Sequence, residues 1–323
     1  MDFYEKIAQA KDVLKLAAEL SETYYHAPLI ITYSGGKDSD VMLDLALSAL
    51  KPEQFEVINS HTTVDAPETV YYIRDKFREL EEKGIKTNIK LPMYRGKITS
   101  MWELIVINGT FPTSRMRYCC KILKEAATPN RLIACGVRED ESKNRSGRGF
   151  FSIKMAKKED AVFLTDKHVR EQFESSKKIT ADLGQKIETP NAYDCKFIEG
   201  AKNNKESVCY PIYYFTERDI WRYIREFGLS VNPLYARGYK RVGCVGYPLA
   251  GPNNMRREFA DYPKYKENYI KAFDRMLENR KAKGKPLKKV NNGSDLMKLW
   301  LREDPKQITF EDLFKEADNG ENI

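Results

Sequence analysis

The chain has 323 residues, with 55 basic and 47 acidic side chains and a formal net charge of +8. At 41% hydrophobic and 32% charged residues it can bury a full core, with room for one large domain and an appendage. No apolar run approaches the ~20 residues that span a bilayer, and Met1-Asp2-Phe3-Tyr4-Glu5 lacks the basic and apolar regions of a secretion signal, so a cytoplasmic chain with no membrane partner is expected. Six cysteines are too few for a disulfide scaffold, and thiols in a reducing compartment are buried, reactive or metal-bound. The surplus of positive charge is spread among both signs and lends nucleic acid only weak support as a partner.

Over residues 5–25 the side chains of Ile7, Val13, Leu14, Leu16, Ala17 and Leu20 recur at helical spacing, which predicts an opening amphipathic helix. Residues 29–33 read as a buried strand. After Asp38, Val41, Met42, Leu45 and Leu47 predict a helix that Pro52 stops. The alternation continues with a strand at 55–58, a helix at 67–82 ended by Gly84, a strand at 87–91, a helix at 101–107 and a strand at 131–135. This order predicts an α/β fold, a mainly parallel sheet with helices on both faces, whose ligand crevice lies beyond the carboxyl ends of the strands.

Residues 154–207, rich in Lys, Glu, Ser and Asn, break the rhythm and read as an insertion. Regular structure returns at Cys209-Tyr210-Pro211-Ile212. Thr216-Glu217-Arg218-Asp219 then opens a helix that runs to Phe227 and ends at Gly228, with Thr216 as cap and Asp219 at the capping-box position. Beyond Pro252 the chain reads as helical. The expected organisation is a nucleotide-binding core over 1–150, an insertion over 151–207, the remainder of the core region over 208–250 and a helical C-terminal region over 251–323.

In Ser34-Gly35-Gly36-Lys37-Asp38-Ser39, two glycines let backbone N–H groups approach an anion, hydroxyls add donors, and the next helix directs its positive end there. The loop is not a Walker A sequence, since G-x-x-x-x-G-K-[ST] has no match. A capped strand-to-helix turn is the alternative reading.

With this loop the chain resembles the phosphoadenosine phosphosulfate (PAPS) reductase family. That family lies within the ATP pyrophosphatase superfamily, also called PP-loop or adenine nucleotide alpha-hydrolase-like. The resemblance continues through His61-Thr62-Thr63 and Pro67-Glu68-Thr69, the paired-cysteine segment Arg117-Tyr118-Cys119-Cys120-Lys121, and Gly136-Val137-Arg138-Glu139-Asp140-Glu141-Ser142-Lys143-Asn144-Arg145. It ends with Pro211-Ile212, Thr216 to Trp221, Asn232-Pro233-Leu234-Tyr235 and Gly238-Tyr239-Lys240-Arg241-Val242-Gly243-Cys244, and so covers about residues 33–248.

The resemblance implies an enzyme of adenine nucleotides, with ATP or a related nucleotide and Mg²⁺ as cofactors. Its nucleotide-binding residues would be Ser34, Gly35, Gly36, Lys37, Asp38, Ser39, His61, Thr62, Arg138, Glu141, Lys240 and Arg241. Lys37, Asp38, Arg138 and Arg145 would serve catalysis. Arg138 and Arg145 could offer guanidinium forks to phosphate or sulfate, with Glu141 orienting one of them; a solvated surface charge is the other reading. Asp65 reads equally as a helix cap or a ligand contact.

Family members with an iron-sulfur centre use a cysteine pair and a later C-x-x-C. Cys119, Cys120 and Cys244 match three of those thiolates, while Tyr247 stands at the fourth position and Cys195 is a substitute. Ordinary buried thiols and, less readily, zinc are the alternatives. Cys135 and Cys209 read as core.

The family's reductases use a cysteine near the C-terminus, and the last cysteine here is Cys244. The expected reaction is therefore cleavage of ATP to AMP and pyrophosphate to activate an acceptor, a small molecule or a nucleic acid, in the manner of sulfur transfer. Sulfonucleotide reduction by a displaced cysteine, and nucleotide binding without turnover, are the other readings. The basic run Arg280, Lys281, Lys283, Lys285, Lys288 and Lys289 reads as a solvated helix end or as phosphate contacts.

Overall fold

Helix α1 (Phe3–Tyr25) starts where Asp2 and Glu5 close a capping box, each carboxylate accepting from the other residue's amide at 2.8 and 2.7 Å. Ile7, Ala10, Val13, Leu14, Ala17 and Leu20 form its buried stripe. The structure is a computed structural model and describes residues 1–113, 116–125, 131–141, 150–153, 207–287 and 290–303.

After α1 come β1 (Leu29–Thr32), α2 (Lys37–Ala49), β2 (Phe55–Ser60), α3 (Pro67–Glu82) and β3 (Lys86–Lys90), each within two residues of the strand or helix read from the sequence. A small hairpin, β4 (Met93–Tyr94) with β5 (Lys97–Ile98), was not foreseen, because two-residue strands carry no measurable alternation. Then follow α4 (Met101–Asn108), the single turn α5 (Tyr118–Cys120), β6 (Leu132–Ala134), β7 (Phe151–Ile153) and β8 (Ser207–Cys209). The chain continues as α6 (Glu217–Glu226), α7 (Pro252–Asp261), α8 (Pro263–Ala282) and α9 (Gly293–Trp300).

Among the described residues the strands build a six-stranded sheet in the order β3-β2-β1-β6-β8-β7. β1 runs parallel to β2 and to β6, β6 runs parallel to β8, and β7 closes the edge antiparallel to β8. The mainly parallel α/β sheet predicted from the alternation is therefore present. Leu29, Ile30, Ile31, Val57, Leu132 and Ile133 are all buried, as parallel strands covered on both faces require. From β1 the chain moves outward to β2 and β3, and β6 then docks on the opposite side of β1. Strand order reverses there, which is where such sheets open a crevice at the carboxyl ends.

The chain divides into two units: Met1–Asn59, Glu68–Lys90 and Thr128–Val242 in the first, and Ser60–Pro67, Leu91–Ala127 and Gly243–Ile323 in the second. The first holds the large sheet with α1, α2 and α6. The second has an aromatic core, in which the Trp300 ring lies 4.9 Å from Tyr269 and 5.7 Å from Phe273, and Trp102 meets Tyr269 edge-on at 4.8 Å. Of the basic run, Arg280 is used inside this unit, donating to the Gly109 carbonyl at 3.0 Å where α4 ends. Lys288 and Lys289 lie outside the described residues. No described helix is long and apolar enough to cross a membrane.

Candidate functional site: an anion cradle and a thiol cavity

β1 delivers the chain to Tyr33, whose amide donates to the Ile58 carbonyl at 2.9 Å and so extends the sheet by one bond before the loop begins. Gly35 has φ +71°, and a Cβ there would stand 2.9 Å from Ile73, so glycine alone meets both demands. The turn is braced from within: the Ser39 hydroxyl donates to the Gly36 carbonyl at 2.7 Å and lies 3.1 Å from the Gly36 amide. Buried Asn232 braces it from outside, donating to the Gly35 carbonyl and the Thr69 hydroxyl, both at 3.1 Å. The Lys37 amide donates to the Tyr235 hydroxyl at 2.9 Å.

β6 brings the second component. A Cβ on Gly136 would lie 3.2 Å from the carbonyl carbon and oxygen of Asp38, so the strand end rests directly on the loop backbone. Two residues on, Arg138 is only 3% exposed. Its Nε donates to Asp38 Oδ1 at 2.6 Å, its Nη1 to Asp140 Oδ2 at 3.3 Å and its Nη2 to Glu217 Oε2 at 2.8 Å. The Lys37 ammonium, also buried, lies 3.3 Å from Asp38 Oδ2 and 3.4 Å from Glu217 Oε1. Two buried cations thus sit at the carboxyl ends of β1 and β6, neutralised from within.

Beneath the loop lies a buried acid. Asp40 Oδ1 accepts from the Tyr33 hydroxyl at 2.6 Å and is 3.2 Å from the Tyr72 hydroxyl, while its Oδ2 has no hydrogen-bond partner. The single proton of Tyr72 is drawn toward the Ser230 carbonyl at 2.8 Å. Burial pushes the Asp40 carboxyl up to about 7, against the opposing pull of Tyr33, Tyr72 and Lys76.

The second unit gathers thiols. Cys119 and Cys120, in the turn α5, line a cavity of about 10 Å³ together with Cys244, Leu123, Met101 and Tyr247. Cys244 is held by a bridge to Asp65 and by the Val245 amide donating to the Val64 carbonyl at 2.8 Å. Its thiol donates to the Thr62 hydroxyl at 3.5 Å. Asp65 Oδ2 accepts from the Thr62 amide at 3.1 Å, a turn-holding role just ahead of α3. The hydrogen bond between neighbouring thiols lowers Cys120 and raises Cys119, and the Arg117 guanidinium, 3.5 Å from the Cys120 sulfur, adds to the lowering. Burial raises Cys244.

A family model described as the phosphoadenosine phosphosulfate reductase domain matches residues 28–250. The chain belongs to the PAPS reductase family. An uncharacterized protein of Methanocaldococcus jannaschii is 24% identical over 258 residues, covering 76% of this chain and 42% of the relative. Sulfate adenylyltransferase subunit 2 of Magnetococcus marinus is 28% identical over 211 residues, covering 64% and 60%. The chain thus spans between two fifths and three fifths of the length of these curated relatives. Among solved structures it is similar to PAPS reductase from Candida auris in a phosphate complex, at 16% identity and TM-score 0.41, covering 73% of this chain and 88% of that one.

In this PAPS reductase family member, Ser34, Gly35, Gly36, Lys37, Asp38, Ser39, Arg138 and Glu141 come together in the first unit. Glu141 stands 4.0 Å from Arg138, farther than Asp38, Asp140 or Glu217. Lys240 and Arg241 are exposed. His61 and Thr62 belong to the second unit with the thiols, and Arg145 and Cys195 lie outside the described residues. Cys209 ends β8, and half-buried Cys135 follows β6 with its amide donating to the Cys209 carbonyl at 2.9 Å; burial raises the Cys209 thiol.

A four-iron cluster does not fit the described thiols. They number three around a cavity that holds about one water, a phenol occupies the fourth position, and no described group of three or more His, Cys, Asp or Glu side chains could hold a metal ion. Glu217, Tyr235, Asn232 and Asp40 were not foreseen as parts of the cradle. Glu217 carries a local signal only for a helix start, and it reaches Lys37 from far along the chain.

Proposed function

We propose that this chain binds ATP at the loop of its first unit and cleaves it between the α- and β-phosphates, passing the adenylyl group to an acceptor and releasing pyrophosphate. One observation carries the reading: a glycine turn at a helix start lies beside two buried cations, Lys37 and Arg138, at the strand ends where sheet order reverses. The Gly36 and Lys37 amides face neutral hydroxyl oxygens at 3.1 and 2.9 Å, and phosphate oxygens in those places would form stronger, charge-assisted bonds.

In the reaction an acceptor oxygen bonds to the α-phosphorus as the bond to the β-phosphate oxygen breaks, and negative charge gathers on the departing pyrophosphate. The loop amides and Lys37 stabilise that charge. Mg²⁺ would arrive with ATP, held chiefly by phosphate oxygens, with Asp38 as the nearest loop carboxylate; such sparse protein ligation suits this ion. The relatives named sulfate adenylyltransferase subunit 2 support sulfate as the first acceptor to assay, with nucleic acid beside it.

The test is ATP binding by calorimetry together with exchange of labelled pyrophosphate into ATP. Gly36→Val is the decisive variant. A Cβ there meets only the Tyr235 hydroxyl at 3.5 Å and Ser34 Oγ at 3.6 Å, so the chain should fold while the γ-methyls fill the phosphate position. ATP affinity should fall by at least about 100-fold, some 2.7 kcal/mol. Unchanged affinity in the folded variant would remove the reading. Sulfite release from a sulfonucleotide would replace it with reduction, and binding without exchange for any acceptor would replace it with a regulatory role.

A further inference from the structure

The cradle is neutralised by a carboxylate that sits where a ligand's charge would go. Lys37 and Arg138 supply two positive charges, and Asp38, Asp140 and Glu217 bring three negative ones within 3.4 Å of them. Asp38 belongs to the loop itself and Asp140 to the turn after Arg138. Glu217 comes from α6 and, like Asp38, bridges both cations, with Oε2 at 2.8 Å from Arg138 and Oε1 at 3.4 Å from Lys37. Its side chain is 51% exposed, against 7% for Lys37 and 4% for Arg138, so the anion can leave toward solvent while the cations stay.

We infer that Glu217 is a built-in counter-anion of the nucleotide site, holding Lys37 and Arg138 until a nucleotide's phosphates displace it, and so setting the affinity for polyphosphate. The inference rests on the nucleotide reading above. The backbone under Glu217 is fixed: Thr216 and Asp219 cap α6 reciprocally, and the Glu217 amide donates to Asp140 Oδ2 at 3.0 Å. Displacement therefore needs only side-chain rotation, and Trp221 Nε1, donating to Glu217 Oε1 at 3.2 Å, marks the seated position. While Glu217 is seated, an entering polyphosphate meets a centre with a surplus of negative charge, from Asp38, Asp140, Glu141 and Glu217 around two cations. Once it swings out, one of those negative charges is removed and the repulsion falls.

Glu217→Gln tests this in the full chain, because the amide keeps an oxygen for Trp221 and loses the charge. Calorimetric affinity for ATP and for inorganic pyrophosphate should rise about two- to fivefold, the range of a partly exposed ion pair removed from competition. Adenosine, which has no phosphate, should bind the variant and the parent alike. Glu217→Ala should tighten both phosphate ligands in the same direction. Equal or weaker ATP affinity in the two variants, or adenosine tightening in parallel, overturns the inference while leaving the nucleotide reading in place. A parent chain that binds neither ATP nor pyrophosphate overturns both.

Discussion

The anion cradle of the first unit and the thiol cavity of the second are built on opposite terms. In the cradle, full charges face one another at 2.6 to 3.4 Å, and every nitrogen of the Arg138 guanidinium has a carboxylate partner. In the cavity the lining is mostly sulfur, methionine, leucine and ring, with one cation, Lys124, and the Arg117 and Thr62 hydrogen bonds to sulfur are 3.5 Å long. A site made of ion pairs holds its shape before any ligand arrives, and its ligand must compete with the protein's own charges. A site made of soft thiols in an apolar wall is stable without a ligand because little polar surface was buried there in the first place.

The contrast can be broken most forcefully at Arg138. Arg138→Ala leaves Asp38, Asp140 and Glu217 facing one another around a buried gap, and urea denaturation should show a loss of about 3 kcal/mol. Arg138→Lys keeps the charge but not the fork and should recover less than half of that. A loss under about 1 kcal/mol would mean that the cradle's ion pairs contribute no more than ordinary surface pairs.

A smaller effect is expected at Asp40, where burial holds the folded-state carboxyl near 7, above its unfolded value. The folded chain then binds that proton more tightly than the unfolded chain. The stability it contributes is full below about pH 4 and is lost as pH rises through about 7. Between pH 5 and pH 8 the parent should lose on the order of 2 kcal/mol, and Asp40→Asn should flatten that slope. Parallel pH profiles for the two would place the proton elsewhere.

The smallest change in stability is expected in the thiol cavity, where Tyr247→Cys should move the unfolding free energy by less than about 1 kcal/mol. Its informative readout is iron. If the family's ligand set governs this cavity, the variant should purify anaerobically with more iron and keep it longer in air than the parent. Parent and variant both free of iron would return Cys119, Cys120 and Cys244 to plain packing.

Much of the sheet was legible because its cues are local. The stripe of α1, the capping box of Thr216 with Asp219, and the glycine turn at 34–39 each lie within a window whose physics the neighbouring residues set. The cradle's charge partners were not legible. Glu217 meets Lys37, Tyr235 meets the Lys37 amide and Asn232 meets Gly35 only because parallel strands with long crossovers return the chain to one sheet end. Ser39 shows the same limit from the other side: the residue read as a phosphate donor directs its hydroxyl into its own turn. The buried acid at Asp40 was hidden because its partners, Tyr33 and Tyr72, read as ordinary strand and helix residues.

The antiparallel edge of the sheet has a consequence for how this chain can change. Ile153 at the end of β7 and Ser207 at the start of β8 are register partners, and Ser207 also pairs with Leu132, so this junction lies at the amino ends of β6 and β8. β8 keeps register on β6 from Leu132 to Ala134, and β6 goes on to deliver Gly136 and Arg138 to the loop. In modular terms the edge is a socket: changes at that junction fall at the opposite end of the strands from the charges around the loop.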